Sequence, residues 1–190
     1  MAFGVLPLAA VGRQLVIHVE HGFPITNFFG YFTNLSNILA GLVLLLPAAS
    51  KAPRARFLAI LRATAVIDMA LVGILFSVLL RNADLGSLLP WVNFVLHYLM
   101  PCIAVLDWIV LPPAAVLGRR ELMICLIFPI AYVICTLVRG YVTGWYPYPF
   151  LNPGLVGAGG VAAYVAGITL AFLFFGWALI EVGRLRRPVR

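Results

Sequence analysis

Tyr31-Phe32-Thr33-Asn34-Leu35-Ser36-Asn37 opens an apolar run, residues 28–46, long enough to cross a lipid bilayer. The start of this run carries a threonine, a serine and two asparagines. At about 3.6 residues per turn, Gly30, Thr33, Asn34, Asn37 and Gly41 fall at i, i+3, i+4, i+7 and i+11, on one face. Polar side chains are costly in hydrocarbon, so this stripe must face protein or a water-filled cavity. Read as a span, the stretch makes the fold helical and places polar chemistry inside it.

Composition supports that reading. Of 190 residues, 64% are hydrophobic and only 10% charged, whereas a soluble domain carries about 25% charged residues. The expected fold class is all-α: a polytopic membrane protein, one transmembrane domain over residues 1–190. Six segments have spanning length: about 3–19, 28–46, 57–80, 88–111, 122–138 and 161–180. Lys51, Arg54, Arg56 and Arg62 lie between the second and third or just inside the third. Arg119 and Arg120 lie between the fourth and fifth, and Arg184, Arg186, Arg187 and Arg190 follow the sixth. All three groups fall on one side, which makes that side, and both termini, cytoplasmic. The net charge of +7 is therefore read as membrane anchoring and not as nucleic-acid binding. The first apolar stretch lacks the basic start and cleavage site of a signal peptide. Cys102, Cys125 and Cys135 all sit in apolar runs without ligand spacing and read as small buried hydrophobes.

The other spans carry fewer polar groups. Gln14, His18 and His21 share a face at the outer end of the first. Asp68, in the third, reads as a structural acid paired with Arg62 or water. In the fourth, Asn93, His97, Met100, Ala104 and Asp107 form an inward stripe. Pro101 follows His97 by four residues; it has no N–H for the His97 carbonyl, so a kink is expected there. In the fifth, Tyr132, Thr136 and Arg139 share a face. The loop beyond holds Trp145-Tyr146-Pro147-Tyr148-Pro149-Phe150, suited to an interfacial plug or lid. Gly159, Ala163 and Gly167 make a small-residue seam for close helix packing.

The motifs HExxH, GxSxG, GxxxxGK[ST] and GxGxxG are absent. No metal site and no cofactor is expected. The informative pair is Thr33 and His97, from different spans and at similar estimated depth below the outer surface. A histidine can take the proton of a threonine hydroxyl as it attacks a carbonyl, then return it to the leaving group. Asn34, Asn37, Asn93 or Tyr98 could hold the resulting oxyanion, and Arg139 could anchor a substrate carboxylate. Three alternatives stay open at this point. Thr33 could bond the carbonyl of Phe29 in its own helix. The polar stripe could serve a transporter or a lipid- or solute-binding protein. His18 and His97 could ligate haem in a redox protein.

Three blocks carry a resemblance: Tyr31 to Asn37, His97-Tyr98-x-x-Pro101 with Asp107-Trp108, and Tyr146 to Asn152. In these the chain resembles bacterial six-span membrane proteins similar to the androgen-induced protein family. Members of that family are threonine hydrolases of fatty acid esters of hydroxy fatty acids. The resemblance implies Thr33 as nucleophile and His97 as general base. It also implies a lipid-like ester as substrate and the bacterial inner membrane as location.

Overall fold

The structure, a computed structural model, describes residues 2–46, 52–82 and 86–186. Lys51, Asp84, Arg187, Arg190 and the side chain of Arg54 lie outside the described residues. Nine α-helices follow in order among the described residues: α1 (Ala2–Glu20), α2 (Ile25–Phe28), α3 (Phe32–Leu45), α4 (Ala52–Leu75), α5 (Pro90–Phe94), α6 (Met100–Val110), α7 (Arg119–Cys125), α8 (Ile127–Thr143) and α9 (Pro153–Leu185). A π-helical turn, Phe76–Leu80, extends α4, and another, Val95–Leu99, joins α5 to α6. No strand occurs among the described residues.

Local sequence sets the helix ends. Pro90 and Pro153 open α5 and α9, where a missing N–H costs nothing. Asn152 caps α9 by accepting the Gly154 N–H at 2.9 Å. Gly144, with φ 72°, ends α8 in the left-handed conformation that glycine adopts without strain.

Among the described residues, five stretches are long and apolar enough to cross a membrane: Phe3–Glu20, Arg56–Leu80, Pro90–Val110, Arg119–Thr143 and Pro153–Leu185. This is the make-up of a helical membrane protein. The expected second span is represented by α3, a shorter apolar helix of 14 residues. The helix starts at Phe32 with Tyr31 extended before it, so Gly30 lies outside the helical face that Thr33, Asn34, Asn37 and Gly41 share.

Helix α4 is the most buried of the long stretches and forms the centre of the bundle. It packs on α3, α6, α7 and α9. Its basic end is tied by two ion pairs, Arg56 to Glu121 and Arg62 to Asp107 (2.8 Å). The second takes Arg62 away from Asp68, the partner the sequence suggested for it. Trp108 fastens α6 to α9 by donating to the Leu179 carbonyl at 2.7 Å. Helices α1 and α3 meet backbone to backbone. A Cβ on Gly4 would lie 2.8 Å from the Gly41 carbonyl oxygen, and one on Gly41 would lie 2.9 Å from that of Gly4. The seam of Gly159, Ala163 and Gly167 is exposed on α9, and a Cβ on either glycine meets nothing within 4 Å. Cys102 and Cys135 are also on the outer surface of the bundle, and only Cys125 is buried.

The α1–α3 contact gives a direct expectation. Gly41→Val should separate the two helices and cost about 1–3 kcal/mol, as overpacking does. It should be read as a lower unfolding midpoint in detergent micelles; an unchanged midpoint contradicts the contact.

Candidate functional site: an apolar cavity at Thr33

Pro101 organises the apolar stretch Pro90–Val110, by a different route from a simple kink. The chain takes a π-helical turn at Val95–Leu99, and the Met100 N–H bonds the Val95 carbonyl, five residues back. The next bond of that series would join the Leu96 carbonyl to the N–H of residue 101, which is proline. The Leu96 carbonyl is taken instead by Asn37, whose Nδ2 donates to it at 3.2 Å. The same amide nitrogen donates to the Thr33 carbonyl at 2.9 Å. Asn37 is fully buried. One side-chain amide therefore joins the backbone at Thr33 to the backbone next to His97.

Thr33 lines a mostly apolar cavity with Phe32, Leu71, Val72, Phe76, Tyr132, Tyr148 and Phe150. Its hydroxyl is not spent on its own helix. By contrast, Thr64, Ser77, Thr143 and Thr169 each donate to the carbonyl four residues back, at 2.7–3.0 Å. The Tyr148 phenol adjoins Thr33: burial pushes its pKa up, and hydrogen bonding to the Thr33 side chain opposes that shift. Tyr132, a neighbour of Tyr148, donates its hydroxyl to the Gly30 carbonyl at 2.8 Å.

His97 does not line this cavity; Phe76 connects the two. The Phe76 ring lines the cavity and stacks on the imidazole, with centroids 3.9 Å apart and planes at 24°. Nδ1 of His97 lies 3.2 Å from the Asn93 carbonyl. That bond requires a proton on Nδ1, which leaves the Nε2 lone pair for another partner. The orienting group that no side chain supplied in the sequence is thus a backbone carbonyl one turn earlier.

The remaining sequence-derived candidates have other engagements. Asn34 is buried and donates to the Phe28 carbonyl at 2.8 Å, which holds the entry to α3. Both amide hydrogens of Asn37 are taken as above. Asn93 has a buried side-chain oxygen without a partner. Tyr98 is exposed, packed between Phe94 and the edge of Phe76. Arg139 sits near the C-terminal end of α8, bonded to Asn27 and Thr26, with its guanidinium 4.5 Å from the centre of the Trp145 ring. It has no carboxylate partner among the described residues. Gln14 holds the loop before α5, donating to the Ser87 carbonyl and accepting from the Leu89 N–H. His18 Nε2 is committed to the Pro24 carbonyl at 2.9 Å. No group of three or more His, Cys, Asp or Glu that could hold a metal ion occurs among the described residues.

Tyr148 and Phe76 are the residues that sequence reasoning left out of the site. Tyr148 belongs to the Tyr/Pro-rich loop, and its phenol enters the bundle because the loop docks closely. A Cβ on Gly30 would lie 2.7 Å from the Trp145 ring, and one on Gly140 would lie 2.1 Å from the Tyr146 ring. Two glycines thus seat two aromatic rings, and Tyr148, Phe150 and Leu151 of the loop line the cavity. The signal was the aromatic run itself; nothing local told which ring points inward.

Comparisons with known proteins found no matching family model, no matching curated protein and no matching solved structure.

The docking of the loop is open to test. Gly140→Ala should displace Tyr146 and speed amide hydrogen exchange across residues 145–152, with α4 unaffected. Unchanged exchange there contradicts the seating.

Proposed function

We propose that this chain is an intramembrane hydrolase of lipid esters, with Thr33 as nucleophile and His97 as general base. The observation that carries the reading is the placement of Thr33. A threonine whose hydroxyl is left uncommitted by its own helix lines an apolar cavity, and a histidine-bearing turn is tied to its backbone through Asn37. The apolar walls suit an acyl chain, and the lipid-facing bundle gives such a chain lateral access. Arg139 at the outer end suits the carboxylate of a fatty acid ester of a hydroxy fatty acid.

In this reading Thr33 Oγ attacks the ester carbonyl carbon and its proton passes to Nε2 of His97. The oxyanion forms next to the Tyr148 phenol, which takes the donor role first assigned to the asparagine amides. The alkoxide leaves with the proton from His97, and the acyl group stays on Thr33. The stacked Phe76 ring must turn aside for the imidazole to reach the hydroxyl. The resemblance seen in the sequence supports this same pair of residues.

The topology proposed with it has six spans, α3 carrying the second crossing, and both termini on the cytoplasmic side of the bacterial inner membrane. Arg56, Arg62, Arg119 and Arg184 support it, because the ends of α4, α7 and α9 that bear them lie together. The start of α1 packs on the end of α3, at the same end of the bundle.

A second reading, lipid binding without turnover, is favoured by one fact: His97 is outside the cavity that Thr33 lines. Labelling separates the two. A fluorophosphonate probe should label Thr33, and Thr33→Ala or His97→Ala should abolish labelling and lower lipid-ester turnover by about 10²-fold or more. Wild-type protein that binds a fluorescent fatty acid but shows neither labelling nor turnover selects the binding reading, and full turnover in either variant removes Thr33 and His97 as the catalytic pair.

A second expectation concerns Tyr148. Tyr148→Phe should lower kcat about 10²-fold with little change in KM, as loss of an oxyanion donor does. An unchanged kcat removes Tyr148 from the reaction.

A further inference from the structure

Beneath the cavity lies a polar layer that the reaction so far leaves unused. Ser36 is three residues after Thr33 on α3. Asp68 is three and four residues before Leu71 and Val72, which line the cavity from α4. The helices run in opposite directions, so both steps go the same way, by about 4.5–6 Å at 1.5 Å per residue. Each residue occupies the face of its helix that lines the cavity one turn above. Both are 0% exposed. Ser36 Oγ and both carboxylate oxygens of Asp68 are sealed from solvent, and none has a hydrogen-bond partner.

A buried acid without a partner is costly and calls for an explanation. Three other acids in the helices are paired, Asp107 with Arg62, Glu121 with Arg56 and Glu181 with Arg184, and Glu20 is exposed at the end of α1. Two donors near Asp68 are engaged elsewhere. Thr64, one turn below on α4, gives its hydroxyl to the Ile60 carbonyl at 3.0 Å. Cys125, on α7, directs its thiol to the same carbonyl at 3.8 Å. Three unfilled oxygens thus lie about one turn below the cavity-lining residues, on α3 and α4, two helices that pack on each other. A buried water needs two to four polar partners, which is what this layer offers.

We propose that Ser36 and Asp68 hold the water that releases the acyl group from Thr33. This role rests on the lipid-ester hydrolase reading and adds the source of its second substrate. The docked loop packs beside Thr33, with Trp145 on Gly30 and Tyr148 near the hydroxyl. In this proposal the water for deacylation is held within the bundle, one turn away. Its oxygen attacks the acyl carbonyl carbon as its proton passes to Nε2 of His97. The bond from that carbon to Thr33 Oγ then breaks, Oγ recovers the proton from His97, and the fatty acid leaves. Ser36 and Asp68 act as positioning residues: they place the water and form no bond to the acyl group.

The test is pre-steady-state hydrolysis of a long-chain 4-nitrophenyl ester by the purified full chain in detergent, for Asp68→Leu and Ser36→Ala. The initial burst that reports acylation of Thr33 should keep its amplitude. The slow phase should fall about tenfold or more, as misplacement of a reactant does. The melting temperature of Asp68→Leu should stay level or rise, because an unpaired buried acid has been removed. A purely structural Asp68 does not give slower deacylation together with equal or higher stability. Wild-type slow phases in both variants overturn the proposal. A lower melting temperature with a lost burst overturns it too, by making Asp68 a fold residue. If wild-type protein shows no burst and no acylated Thr33, the hydrolase reading itself fails, and the role of the water fails with it.

Discussion

The site depends on one buried amide. Pro101 cannot donate to the backbone, so a carbonyl in the stretch Pro90–Val110 must find another partner or remain unpaired in an apolar interior. A π-helical turn moves that need to Leu96, and Asn37 meets it. The other hydrogen of the same amide bonds the Thr33 carbonyl. Two segments that share no covalent neighbour are thereby held in register, with Thr33 on one and His97 on the other. The asparagine is spent on this joint, which is why it is unavailable to an oxyanion.

The polar interior is set into a bundle that stabilises itself elsewhere. Helices α1 and α3 approach through Gly4 and Gly41, α6 and α9 are joined by Trp108, and the basic end is tied by two arginine–carboxylate pairs. Those contacts can offset unpaired oxygens on Ser36, Asn37, Asp68 and Asn93. A chain under pressure for stability alone would replace Asp68 with leucine.

Much of the fold was legible in the sequence because its signals are local. Length and apolarity mark spans, and helical spacing marks the inward face that holds Asn93, His97, Met100, Ala104 and Asp107. Other features are tertiary and leave no local trace. Arg62 lies six residues from Asp68 in sequence, yet its partner is Asp107 on α6. Gly159, Ala163 and Gly167 have the spacing of a packing seam, but the close contact was made by Gly4 and Gly41, single glycines without a repeat. Pro101 foretold a break in bonding, while the π register that chose Leu96 depended on an acceptable donor from another helix. Thr33 was legible as a candidate from its stripe. The Tyr148 phenol beside it, and the Phe76 ring stacked on His97, required the packed structure.

The joint at Asn37 can be measured by a double-mutant cycle with Pro101. In the wild-type background, Asn37→Leu should cost about 1–3 kcal/mol, the price of a buried carbonyl left unpaired. Pro101→Ala restores an N–H in the chain that can reach the Leu96 carbonyl. In that background Asn37→Leu should therefore cost clearly less, read as unfolding midpoints in one detergent. Equal costs in the two backgrounds would show that Asn37 and Pro101 act independently, and would contradict the joint on which the site is built.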